Sequence, residues 1–189
     1  MKKICSILLL AGISSNQLLA QCSNSILGLY KSKSDFDNKI LTYQSKFNSV
    51  NTILIKLNDL FKSHYVTIKE NGNKIKIAKD SIYGFKKSDN SIYRFQNNQV
   101  YKILDTSKAI IIYHMNLPQR QTGKINITRY TYSVGFNGII KTLSINNLLE
   151  DFSSNTTFCK AIKVNFHYNT ELVELDECTK QYKILNYFK

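Results

Sequence analysis

No G-x-S-x-G elbow, P-loop or glycine-rich nucleotide fingerprint occurs in the sequence, which removes the motif-borne hydrolase, NTPase and dinucleotide-enzyme classes. Histidine is scarce. His64, His114 and His167 stand too far apart for the close spacing of a zinc motif, and no cofactor is implied. Arginine, the side chain best suited to bidentate phosphate recognition, occurs only at Arg94, Arg120 and Arg129, although the formal net charge is +13. Lysines scattered among asparagines and isoleucines supply the rest, the pattern of a solvated surface. Acidic residues are missing between Asp105 and Glu150, where Lys108, Arg120, Lys124, Arg129 and Lys141 all fall. A basic stretch of this kind suits anionic envelope lipid or acidic glycan. The acids return in the C-terminal part as Glu171, Glu174, Asp176 and Glu177.

Long apolar runs are also absent beyond the N-terminus, where nothing approaches the roughly 18 residues of a membrane-spanning helix. The N-terminus itself reads Met1-Lys2-Lys3, then apolar Ile4 to Ile13, then Ser14 to Ala20. A short positive start, an apolar stretch of about 7–15 residues and a small residue at the cut define a secretory signal peptide. The spacing predicts residues 1–20 as the signal, cleaved after Ala20, and 21–189 as one α+β domain in the periplasm or outside the cell. A second reading is open at Leu19-Ala20-Gln21-Cys22, where lipid attachment to Cys22 would make an outer-membrane lipoprotein; Gln21 is the wrong residue before such a cysteine. Export argues against nucleic acid as a partner.

Three cysteines remain after that cut. An oxidising compartment permits Cys159 and Cys178 to pair if Cys22 is lipidated or free, and two independent buried thiols are the alternative.

The stretch 64–143 reads as a β meander. Asn71-Gly72 suits a type I′ turn and places Val66 opposite Ile77 and Ile68 opposite Ile75, with Lys69, Lys74 and Lys76 on the wet face. A turn at Ser88-Asp89 pairs Tyr83 with Arg94 and Phe85 with Ile92, and sets Gly84 against Tyr93. Turns at Asn97-Asn98 and Thr106-Ser107 align Tyr101 with Ile112 and Ile103 with Ile110. Asn137-Gly138 pairs Tyr132 with Leu143. Four aromatics, Tyr83, Phe85, Tyr101 and Tyr132, are the expected ligand-facing residues; for Tyr83 and Arg94, a cation–π clamp and ordinary cross-strand packing are both open. Pro118, the only proline, marks the polar loop from Asn116 to Gly123.

From 144 to 189 the period becomes helical. Ser144 caps a helix through Phe152, Asn155 caps a second, and a last helix is expected from Asp176 to Phe188. Ser34 to Asn38 suits one helical turn, and Asn51–Phe61 is ambiguous between helix and strand. So many consecutive hairpins, seven to nine strands in all, leave closure into a barrel open.

The strings Asn147-Leu148-Leu149-x-x-Phe152, Asn155-x-x-Phe158, Glu171-Leu172-x-x-Leu175-Asp176 and Lys180-x-Tyr182-Lys183-x-Leu185-Asn186, with Lys76-Ile77-x-Lys79-Asp80-Ser81-Ile82-Tyr83-Gly84-Phe85, resemble exported proteins of unknown function of the Bacteroidetes type. The resemblance implies an envelope or secreted location and carries no activity. The expected function is a non-enzymatic domain binding a ligand, an anionic envelope lipid or glycan, or another envelope protein. The alternative is a small secreted hydrolase with dispersed catalytic residues.

Overall fold

The computed structural model describes residues 25–45, 53–57, 63–116 and 128–188. The expected signal segment, Cys22 and most of the loop expected around Pro118 lie outside them. Within them the chain is an α+β fold dominated by two antiparallel sheets.

The larger sheet has seven strands in the order β1-β5-β6-β7-β8-β9-β10: β1 (Ile26–Tyr30), β5 (Gly84–Lys87), β6 (Ile92–Gln96), β7 (Gln99–Asp105), β8 (Ile110–Asn116), β9 (Thr128–Val134) and β10 (Lys141–Thr142). The smaller has three, β2 (Ile53–Lys56), β3 (Tyr65–Glu70) and β4 (Asn73–Ala78). The order is open at both ends, so the barrel does not form. The ambiguous Asn51–Phe61 segment supplies β2, and β1, which period-two reading passed over, supplies an edge.

Cross-strand pairing divides the larger sheet into two faces. On one, Ile110, Ile112 and Tyr132 lie beneath the C-terminal helices and Phe85 and Phe95 lie beneath the smaller sheet. The helices are α2 (Ile145–Asp151) and α3 (Thr156–Asn165); a short helix α1 (Lys33–Asp37) precedes them in the chain. Ser144 and Asn155 cap α2 and α3 through their side-chain oxygens, as their sequence positions predict. Leu148 of α2 and Phe158 and Ile162 of α3, the last two one turn apart, are buried against the sheet with Leu172, Ile184 and Leu185. The opposite face carries a smaller apolar group, Ile111, Tyr113 and Ile140, with Tyr101, Ile103 and Phe136 around it.

The β3–β4 hairpin forms in the expected register, Val66 to Ile77 and Ile68 to Ile75, with Asn71 and Gly72 both at positive φ. Burial does not follow the pairing to its end. Val66 and Ile68 are fully covered, but Ile75 is 38% exposed, because β4 is an edge strand and only Ile77 reaches the core. Lys74 and Lys76 keep that edge charged.

Three other registers depart from expectation, each through its turn. Between β5 and β6 the loop has three residues, Ser88 to Asn90, with Asn90 at φ 65 and the Lys87 N–H donating to Ser91 O. The extra residue slips the hairpin by one: Gly84 faces Arg94 and Phe85 faces Tyr93. Between β7 and β8 a bulge at Leu104 and a longer turn pair Ile103 with Tyr113 and Asp105 with Ile112. Tyr101 and Ile103 therefore lie on the face opposite Ile110 and Ile112. After β9 the reversal is carried by Gly135 (φ 63) rather than by Asn137-Gly138, and Tyr132 pairs with Lys141 instead of Leu143.

The expected last helix does not form. Asp176 instead takes the N–H groups of Cys178 and Thr179 on its carboxylate, Lys180 turns at φ 56, and only a 3-10 turn, Lys183–Tyr187, follows. The side chain offers those amides a local partner in place of the helical ladder. Among the described residues no helix is long and apolar enough to cross a membrane.

Candidate functional site

The face opposite the main core bears a cleft of about 650 Å³, and its walls are built by segments far apart in sequence. Its floor is the sheet itself, through Lys86 of β5, Ile92 of β6 and Ile103 of β7. One wall is α1 and the strand-like return after it. Ser32 caps α1 reciprocally with Asp35, which stabilises a helix of five residues that has little else to hold it. Its single large apolar side chain, Phe36, packs on Tyr30 (5.3 Å), Tyr83 (5.3 Å) and Phe136 (5.1 Å). The return segment bridges back to β1 through Leu29 and Thr42, which exchange N–H···O bonds of 2.9 and 2.8 Å. That pairing seats Leu41 over Gly28, where a Cβ would come within 3.0 Å of Leu41.

The other wall is the loop between β9 and β10, folded across the sheet and pinned by β6. Arg94 Nη2 donates to Gly138 O at 3.0 Å, and Gln96 clasps Ile140, accepting its N–H at 2.9 Å and donating to its carbonyl at 3.3 Å. Phe136 is thereby held at the cleft, and its carbonyl accepts the Tyr83 hydroxyl at 3.2 Å.

Arg94 is the unusual residue behind this wall. It is buried, yet among the described residues it faces no carboxylate. Its Nη1 donates to Tyr113 Oη (3.0 Å) and Ser133 Oγ (3.4 Å), and its guanidinium lies over the Tyr83 ring at 5.4 Å. Burial raises the Tyr83 phenol well above its ordinary range, and the nearby guanidinium only partly offsets that, so the phenol remains a neutral donor at physiological pH. The contact predicted between Tyr83 and Arg94 thus exists, but its geometry is that of a wall brace.

The four aromatics singled out from sequence do not line one cavity. Tyr83 and Tyr101 lie on the cleft side of the sheet. Phe85 is wholly buried on the other side, stacked on Tyr93 at 4.7 Å, and Tyr132 is wholly buried there beneath α2. The odd register shifts put Tyr101 on the face away from Phe85 and Tyr132, and Tyr83, which precedes β5, packs with Phe36 and Arg94. Tyr132 Oη donates to Asp151 at 2.6 Å, and Lys141 pairs with the same carboxylate. Burial alone would raise the Asp151 carboxyl, but these two donors outweigh it and hold it below the usual range. This triad ties β9 and β10 to α2.

Cys159 and Cys178 are unbridged. Cys159 is half-buried, its thiol donating to Phe152 O at 3.3 Å, whereas Cys178 is exposed in the Asp176 turn that replaces the expected helix. Cys22 lies outside the described residues.

Sequence reasoning missed Phe36, Leu41, Lys39, Lys86 and Phe136. One signal was available: a lone phenylalanine on a short, otherwise polar, well-capped helix has to dock somewhere. A second hollow, of about 480 Å³, lies between Ile145 and Asn146 of α2 and the segment Phe166 to Asn169. Comparison with protein-family profiles, curated protein sequences and solved structures yields no match for this chain.

Proposed function

We propose that the chain is an exported, non-enzymatic binding domain whose ligand occupies the cleft between α1, the sheet and the Phe136 loop. One observation carries this reading. The cleft is ready-formed and within the usual size of small-molecule sites, and its apolar lining (Tyr30, Phe36, Leu41, Ile92, Ile103, Leu104, Phe136) is interrupted by a few charged groups. Those acids already have roles: Asp37 is paired with Lys33, and Asp105 accepts the N–H and hydroxyl of Ser107 at 2.8 and 2.6 Å. The arrangement suits holding a ligand better than transferring protons to it.

Nile red, an uncharged dye that brightens in apolar surroundings, tests the cleft. Saturable, one-to-one binding is expected. Ile103→Glu should weaken it at least tenfold, since it sets an unpaired carboxylate on an apolar floor. Leu54→Glu, at an exposed position on the smaller sheet, should not. Equal binding by both variants, with unchanged circular dichroism, would remove the cleft as the site.

Export has its own check. Intact mass of the protein from its native cells should correspond to a chain beginning at Gln21. A mass beginning at Cys22 with a diacylglycerol adduct would replace the secreted form with the lipoprotein.

A further inference from the structure

We infer that the outer face of the smaller sheet is a second interaction surface, one that lies flat on an anionic lipid bilayer. It is separate from the cleft, which is on the other side of the larger sheet.

The pairing of β2, β3 and β4 sets two rungs side by side on that face. One holds Lys56, Thr67 and Lys76, the next Leu54, Lys69 and Lys74. At the alternate positions Ile55, Val66 and Ile68 are buried against the larger sheet, which puts the lysines on the side away from it. Strands stand about 4.8 Å apart and alternate residues about 6.8 Å apart, so the four lysines rise from a patch of roughly 10 by 7 Å. No acid stands on this face among the described residues, and none of the four lysines has an ion-pair partner there. Glu70 ends β3 on the opposite face, across from Asn73, and Asp80 accepts the Asn98 N–H at 3.2 Å. Protection of an open edge accounts for Lys74 and Lys76. It does not account for Lys69, which is on the central strand directly opposite Lys74. Like charges so placed weaken a sheet, and an anionic surface relieves them.

The apolar side chains among the lysines select the kind of polyanion. Leu54 shares its rung with Lys69 and Lys74 and is 44% exposed; Tyr65, on the same face at the start of β3, is 49% exposed. A sulfated glycan or a duplex phosphate backbone leaves Leu54 in water. The headgroup layer of a bilayer takes it, together with a tyrosine whose ring is apolar and whose hydroxyl is wet. The face carries lysines and no arginine among the described residues, which suits attraction to a diffuse surface charge better than bidentate recognition of single phosphates.

Flotation with liposomes tests the face. Phosphatidylcholine vesicles with about 30 mol% phosphatidylglycerol should bind the protein at least tenfold more tightly than pure phosphatidylcholine in about 0.1 M NaCl, and about 0.5 M NaCl should remove most of that difference. Each lysine at an anionic surface is worth about fivefold, so the double variant Lys69→Gln, Lys74→Gln should lose at least tenfold. Lys31→Gln, Lys108→Gln removes the same charge from exposed positions outside the smaller sheet and should lose less than about twofold. Leu54→Asn should weaken vesicle binding about threefold and leave binding to a heparin octasaccharide unchanged. Without lipid, Lys69→Gln should melt no lower than the unaltered protein, because it removes a like-charge pair; a lower melting temperature would make Lys69 a structural residue and overturn the inference. So would equal losses in the two double variants, or no preference for the anionic vesicles. Tighter binding to heparin than to vesicles of equal anionic charge, with Leu54→Asn changing neither, would replace the bilayer with an acidic glycan. The cleft stands or falls on its own test in every case.

Discussion

Gly84→Ala should be among the most destabilising single-methyl additions in this protein, costing about 3 kcal/mol or more and lowering the melting temperature by roughly 6–12 °C. A Cβ at this position would sit 2.0 Å from the Tyr93 carbonyl oxygen. That oxygen belongs to the backbone of β6, so it cannot swing away as a flexible side chain would. Relief requires β5 and β6 to move apart, and with them Arg94, which pairs with Gly84 and braces the Phe136 loop. Gly72→Ala is the control. Gly72 has φ 84 but nothing within 4 Å of an added Cβ, so it should lose only the conformational cost of a left-handed alanine, about 1–2 kcal/mol. Matching losses at both positions, by thermal or denaturant unfolding, would mean that the two strands do not approach as described.

The second large effect concerns the smaller sheet. Ile68→Ala should cost about 2–5 kcal/mol, whereas Ile75→Ala, directly across the hairpin, should cost less than about 1 kcal/mol. Ile68 is fully buried among Ile55, Val66 and Phe85, so its truncation leaves a cavity under the larger sheet. Ile75 faces the same way but stands on an edge strand past the covering layer. Equal and large losses in chemical denaturation would show β4 to be covered along its whole length.

That pair of isoleucines also marks how far the sequence could be read. Alternation in residues 65–78 and the Asn71-Gly72 turn give the register correctly, because both are local. What covers the strand is not local, and Ile75 looks as buried as Ile68 until the sheets are placed. The helix caps Ser144 and Asn155 were legible for the same reason: a capping side chain acts within three residues of itself. Registers failed wherever the turn had an extra residue, since Asn90 at positive φ or a bulge at Leu104 reverses which side chains face together, and nothing in the alternation records it. Those odd shifts are why Phe85 and Tyr132 were grouped with Tyr101 although they lie on opposite faces; Tyr83 precedes β5 and stands outside its alternation. The Asp176 segment failed differently. Its acids and lysines are ordered as a helix dipole prefers, but an aspartate at that point satisfies its neighbours' amides by itself.

The cleft was hidden for a further reason. Phe36 and Phe136 meet at 5.1 Å although a hundred residues separate them, and the link depends on Arg94 and Gln96 holding a loop that sequence reading took for a tight hairpin. A buried arginine without a carboxylate partner among the described residues is costly, and hydrogen bonds to three neutral acceptors and the Tyr83 ring offset part of that cost while fixing the loop. The brace therefore positions the wall.

Methyl NMR on isoleucine- and leucine-labelled protein titrated with Nile red bears most directly on the cleft as the binding site. Saturable shifts are expected at Leu41, Ile92, Ile103 and Leu104, with Ile112, Leu148 and Ile162 in the opposite core unmoved. Shifts confined to Ile145 and its neighbours around Phe166, or spread evenly over both faces of the sheet, would contradict it.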